Sequence, residues 1–174
     1  AAASDVSVTT TNALFANVVD LDANETFRVI KAADDAGTTE TSIVSGSLTL
    51  AGQYGTLTVN ENGTYSYQVN QSNSAVNNLD PSEPPLTDAF DITISDSSDE
   101  TVVQELQIKV NGANDAPVVG NVADSTGENA VLNGSVTSTA SDAEGDNLTY
   151  QLVDDVPDNS GSLTFNTNGS FQFD

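Results

Sequence analysis

The sequence contains no cysteine, histidine, methionine or tryptophan, and only 3 basic residues against 26 acidic ones. Each absence closes off a class of chemistry. Without cysteine there is no disulfide framework. Without cysteine and histidine together, zinc, copper, haem and iron–sulfur sites of the usual kinds are excluded, as are Ser-His-Asp and Cys-His nucleophile systems. Without a basic stripe the chain lacks what phosphate recognition requires, so no nucleic-acid partner is expected. The net charge of −23 opposes approach to anionic lipid as well. No apolar run reaches the roughly 20 residues of a membrane helix, and direct membrane insertion is not expected.

What is abundant is hard oxygen: Asp, Glu, Asn and backbone carbonyls, a donor set that suits Ca²⁺. Two readings of the acidity stand side by side. Acidity keeps a surface protein soluble, or the carboxylates face divalent cations that cancel their repulsion. The hydrophobic fraction, 37%, is low. Its members nevertheless recur in short alternating runs punctuated by Asn-Gly, Gly, Asp and Ser, which is a strand pattern. Strands are expected over Thr26 to Ile30, Gly46 to Leu50, Ala89 to Ser95 and Val102 to Val110. The clearest hairpin is Gly55-Thr56-Leu57-Thr58-Val59 returning through Asn62-Gly63 to Tyr65 and Tyr67, with a type I′ turn expected at Asn-Gly. Many short strands with turns between them indicate all-β sandwiches.

The chain repeats itself. Gly161-Ser162-Leu163-Thr164-Phe165 through Asn168-Gly169 to Phe171 and Phe173 copies that hairpin 106 residues later. Asp142-Ala143-Glu144-Gly145-Asp146, leading to Tyr150, copies Asp20-Leu21-Asp22, leading to Phe27, at an offset of 122. The first unit therefore carries an insertion of about 16 residues between cluster and hairpin, in an interval that includes Lys31 to Ser42. The boundary is expected at Asn111-Gly112-Ala113-Asn114-Asp115-Ala116-Pro117, since Pro117 holds its neighbour extended. The division is then 1–113, a linker at 114–117, and 118–174. Unit one continues past its hairpin from Gln68 to Asn111, enough for about three more strands, whereas unit two stops just after its own. Either the chain is a segment of a longer repeat array, or the missing strands come from a neighbour in an assembly.

Asp142, Glu144 and Asp146 alternate around Gly145, so several oxygens can turn toward one cation; a solvated acidic turn is the plain alternative. Asp20, Asp22 and Glu25 form the equivalent, weaker cluster. Asp96, Asp99 and Glu100 read as a polar hairpin loop. The Asn-x-Ser/Thr sequons at Asn24, Asn62 and Asn147 read as turn and strand composition. Paired carboxylates could serve a glycosidase. With no tryptophan sugar platform and only 3 basic residues to bind an anionic substrate, the chain is not expected to be an enzyme.

Unit one resembles the VCBS repeat of giant type I secreted, RTX-type adhesins over Ala13 to Pro117. Its markers are Asp20-Leu21-Asp22, Tyr54-Gly55-Thr56-Leu57-Thr58-Val59-Asn60 running into Asn62-Gly63-Thr64-Tyr65, Asn73 to Leu79, Leu86-Thr87-Asp88-Ala89-Phe90 and Gly112-Ala113-Asn114-Asp115-Ala116-Pro117. Unit two resembles the related bacterial cadherin-like repeat through Glu128, the Asp142 cluster and Asn168-Gly169. The resemblance implies tandem immunoglobulin- or cadherin-like Greek-key β-sandwiches, the second incomplete, on a secreted, bacterial cell-surface protein. It implies a junction calcium site formed by Asn114, Asp115, Glu128, Asp142, Glu144 and Asp146. It departs from the family at Glu144, where Asp is usual, and at Asp96-Ser97, where Asp-Gly is usual. The function implied is a calcium-stiffened extender of an adhesin or biofilm protein. The alternative is a filament subunit completed by a neighbouring copy. Partners would be neighbouring repeats or copies of the same protein, with a cell-surface or matrix ligand undefined.

Overall fold

The computed structural model describes residues 7–10, 13–16, 18–19, 25–34, 36–157 and 160–174. The chain divides into two compact units, Ala2–Ala113 and Asn114–Asp174. Unit one contains β1 (Ser7–Thr10), β2 (Arg28–Asp34), β3 (Glu40–Ser42), β4 (Ser47–Ala51), β5 (Gly55–Asn60), β6 (Tyr65–Val69), β7 (Leu86–Ser95) and β8 (Thr101–Val110). One sheet has the order β1-β6-β5-β4 and the other β3-β2-β7-β8, with every neighbouring pair antiparallel. The chain changes sheet after β1, after β3 and after β6, giving a sandwich. The segment after β6 supplies two long strands and one helical turn, α1 (Ser74–Asn77), rather than three strands. Asn73 caps that turn by accepting the Ala75 N–H at 2.9 Å.

The period of two explains the core. In β5, Gly55, Leu57 and Val59 face inward while Thr56 points to solvent. Leu48 and Leu50 of β4 and Tyr67 of β6 complete that face. Val29, Ala32, Phe90, Ile92 and Ile94 meet them from the other sheet, and Tyr67 and Phe90 touch edge to face across the sandwich. The segment Lys31 to Ser42, which falls in the insertion interval, forms most of the β2–β3 hairpin, placing β3 at a sheet edge. Asp34 organises its turn, accepting the N–H of Thr38 at 2.7 Å and of Thr39 at 3.2 Å. The hydrogen bonds from Thr38 and Thr39 hold its carboxyl below the ordinary value.

One buried carboxylate ties the sheets together. Asp88 of β7 is 5% exposed. It crosses to the β4–β5 turn, accepting the N–H of Gln53 at 2.9 Å and of Tyr54 at 3.1 Å, and it also accepts the Tyr67 hydroxyl. Gly52 lies against this carboxylate, and a Cβ there would collide with it. Burial, reinforced by the Asp88 hydrogen bond, pushes the Tyr67 phenol well above its ordinary value.

Unit two contains β9 (Val118–Val119), β10 (Leu132–Ser135), β11 (Ala140–Ser141), β12 (Leu163–Phe165) and β13 (Ser170–Phe173). Its sheet has the order β10-β13-β12, with β9 and β11 forming a separate two-residue pair. The hairpin repeats that of unit one bond for bond. Asn60 and Asn166 donate their backbone N–H to the carbonyls of Thr64 and Ser170 at 2.8 and 2.9 Å. Asn62 and Asn168 accept the hydroxyls of Thr64 and Ser170, each at 2.8 Å. The turn is not type I′. Gly63 and Gly169 have positive φ (80° and 82°), whereas neither Asn62 nor Asn168 does. The wider loop needs a single left-handed residue, as in a type I turn closed by a bulge glycine. The asparagine is there for its side-chain acceptor.

A second shared bond fixes the relation of the units more closely than the acidic clusters do. Val29 donates to the Glu61 carbonyl at 2.9 Å, and Tyr150 donates to the Thr167 carbonyl at 3.0 Å. Val29 and Tyr150 are 121 residues apart, one fewer than the offset between the clusters. Among the described residues, unit two has no strand corresponding to β2, β3, β4, β7 or β8. Every buried hydrophobic side chain among the described residues lies between Leu14 and Val110.

Candidate metal centre

Asp142 opens the acidic loop of unit two as a side-chain-closed turn. Its Oδ1 accepts the backbone N–H of Glu144 at 3.1 Å and of Asp146 at 3.2 Å. Gly145 sits between them at φ 82°, a conformation that glycine adopts without strain. The turn directs Glu144 back to the start of the unit, where its Oε2 accepts the Asp115 N–H at 3.3 Å. The other oxygen, Glu144 Oε1, is buried with no hydrogen-bond partner. Asn114 donates its side-chain amide to the Asp115 carbonyl at 2.9 Å and is otherwise exposed.

Hydrogen bonds thus join Asp115, Asp142, Glu144 and Asp146. Glu128, exposed and next to Asn129 at φ 61°, has no hydrogen bond to this group among those described. Among the described residues no three acidic side chains stand close enough to hold a metal ion as they are. The donor chemistry nevertheless fits a hard cation. A buried carboxylate oxygen without a donor is costly, on the order of 1–3 kcal/mol or more, and a cation would relieve it. Asp115, Asp142, Glu144 and Asp146 are the residues that would hold Ca²⁺ here, within unit two.

The weaker cluster divides differently. Asp20 and Asp22 lie outside the described residues. The Glu25 carboxylate is bonded to the β7–β8 turn, accepting the Ser97 N–H at 3.2 Å, the Ser97 hydroxyl and the Ser98 hydroxyl at 3.4 Å. Asp96 closes that turn by accepting the N–H groups of Ser98 at 2.9 Å and Glu100 at 2.8 Å. Asp99, at φ 65°, pairs with Arg28 at 2.9 Å. These are the contacts of a polar hairpin loop. The residue that sequence reading did not single out is Asp88. The visible signal was a carboxylate within a strand-forming run, Leu86-Thr87-Asp88-Ala89-Phe90, where an unpaired charge cannot be buried.

No helix among the described residues is long and apolar enough to cross a membrane. Comparison with curated proteins finds no match. Two family models do match, and their limits follow the two units. The bacterial Ig domain matches residues 114–174, where the sequence resembled a cadherin-like repeat. The bacterial cadherin-like domain matches residues 1–112, where the resemblance was to the VCBS repeat. Both are families of structural modules typical of surface or extracellular proteins. With most of its length covered by the first of these models, the chain belongs to the bacterial cadherin-like domain family.

Proposed function

We propose that this chain is a calcium-stiffened extender segment of a large, secreted bacterial adhesin or biofilm protein of the RTX type, with VCBS-like character in its first unit. Two structural modules follow each other with one residue between their matched ranges, 1–112 and 114–174. That spacing suits an array whose job is length. The observation that carries the calcium part is the buried, unpartnered Glu144 Oε1 beside the Asp115 amide. Bound Ca²⁺ supplies positive charge to several oxygens at once. Asp115 and Glu144 then hold the first residues of unit two against the 142–146 loop, and stability rises as RT ln(1 + [L]/Kd).

The test is thermal melting with millimolar calcium and with EDTA, alongside amide exchange at Asp115. Calcium at 100 times its Kd is expected to add about 2.7 kcal/mol to unit two and to slow exchange at Asp115. Glu144→Gln removes both responses. Identical melting in calcium and EDTA would sink the calcium role.

A filament subunit is the second reading, favoured by the apolar sheet face that unit two leaves uncovered. Uniform fibres with one repeat per chain in electron micrographs would support it; monodisperse particles would count against it.

A further inference from the structure

A cavity of about 160 Å³ lies in unit one beside the β7–β8 turn. Its apolar lining is Val18, Phe27, Ile94 and Val102, and its acidic lining is Asp96 and Glu100. Val102 is exposed, Val18 and Phe27 are half-buried, and Ile94 is 1% exposed, so the cavity runs from the surface toward the core. At about 30 Å³ for each water-sized group, it has room for roughly five of them.

Asp96 is only 7% exposed, yet its own turn does not satisfy it. The N–H groups of Ser98 and Glu100 both donate to Oδ1, and Oδ2 receives no hydrogen bond among those described. A carboxylate oxygen held out of bulk water costs free energy until a donor or a cation meets it. The chain brings no cation of its own. Arg28 pairs with Asp99 at 2.9 Å and Lys31 with Glu40 at 2.8 Å. The third basic residue, Lys109, stands opposite Thr87, far along β8 from Val102, which stands opposite Ile94.

The two linings together restrict what can enter. Ca²⁺ takes roughly six to eight oxygens, and among the described residues no three acidic side chains stand close enough to hold a metal ion. A neutral apolar ligand would strip water from Asp96 and offer it no donor. A primary ammonium on a short aliphatic stem fits both linings. The ammonium donates to Asp96 Oδ2 and to Glu100, and the stem lies along Val18, Phe27 and Val102. The geometry points to this cavity as a binding site for an alkylammonium group, the chemistry of a lysine side chain and of a free aliphatic amine. The site is separate from the calcium reading of unit two and does not depend on it.

The probe is n-butylammonium chloride, titrated into the full chain while the amide signals of Ile94, Asp96 and Val102 are followed by NMR. Saturable shifts with a Kd of about 1–10 mM are expected. n-Butanol has the stem without the charge, and ammonium chloride at equal ionic strength has the charge without the stem. Each should bind at least about tenfold more weakly. Asp96→Asn keeps an oxygen for both turn amides and replaces Oδ2 with an N–H group. It should weaken n-butylammonium at least about tenfold while the Ser98 and Glu100 amides keep their protection from exchange, which separates lost binding from lost folding. A blocked Val-Lys-Val peptide distinguishes the sources. Tighter binding than n-butylammonium supports the site with a polypeptide lysine as its ligand, and equal or weaker binding supports it with a free amine. No saturable shift, equal binding of n-butanol or ammonium, or unchanged affinity in Asp96→Asn would overturn the proposal. Calcium that moves the same signals and displaces the amine would overturn it too, by making the cavity a metal site.

Discussion

The two hairpins, Gly55 to Tyr67 and Gly161 to Phe173, share their backbone bonds, their asparagine acceptors and their turn glycines, yet only one is buried. Local chemistry therefore suffices to form the hairpin, and burial is a separate matter decided by strands far away in sequence. In unit one those strands are β2, β7 and β8; in unit two no strand corresponding to any of the three is present among the described residues. The difference separates what a hairpin owes to its turn from what it owes to its cover.

Core truncation should break the likeness most. Leu57→Ala is expected to cost unit one about 3–4 kcal/mol, because Leu57 is fully buried. Leu163→Ala, in the matching position but partly solvated, should cost about 1 kcal/mol in urea unfolding. Equal losses would mean that the two faces are equally covered in solution.

The Asp88 tie gives the next largest difference. Asp88→Ala strips three donors of their acceptor and should destabilise unit one by about 3 kcal/mol while leaving unit two unchanged. The contact also sets an alkaline limit. The folded chain holds the Tyr67 proton more tightly than the unfolded chain does. Its stability is therefore complete below the ordinary tyrosine value near about 10 and falls as pH rises beyond it. Melting temperatures from pH 8 to 11 should show this fall in unit one and lose it in Tyr67→Phe.

The smallest effect tests the likeness itself. Asn62→Ala and Asn168→Ala remove the same two hydrogen bonds, to Thr64 in one case and to Ser170 in the other. Each should cost about 1 kcal/mol, and the two costs should agree. Unequal costs would show that the turn senses its cover after all.

Much of the fold was legible because it is written locally. Alternation in Leu57 and Val59, the Asn-Gly turns and the long runs of β7 and β8 carry their own period. The repeat was legible for the same reason, and the Asp142 turn was visible in its spacing. What could not be read was set by partners distant in the chain. The turn type depended on where β5 and β6 stop pairing. Glu25 found serines 72 residues away. The orphaned oxygen of Glu144 depended on the Asp115 amide 29 residues before it. The role of Asp88 was not legible because its three donors come from β6 and from a turn in the opposite sheet.

The Asp88 tie also works as a length gauge under load. It closes a loop between Gln53 and Asp88, residues 35 apart. A chain drawn out by its ends would keep that stretch folded in behind the carboxylate and the β4–β5 and β5–β6 pairings together. Loss of both would pay out about 120 Å of contour at roughly 3.3–3.6 Å per residue. In a force–extension trace, Asp88→Ala would lower the force at which that stretch unravels without changing the length released.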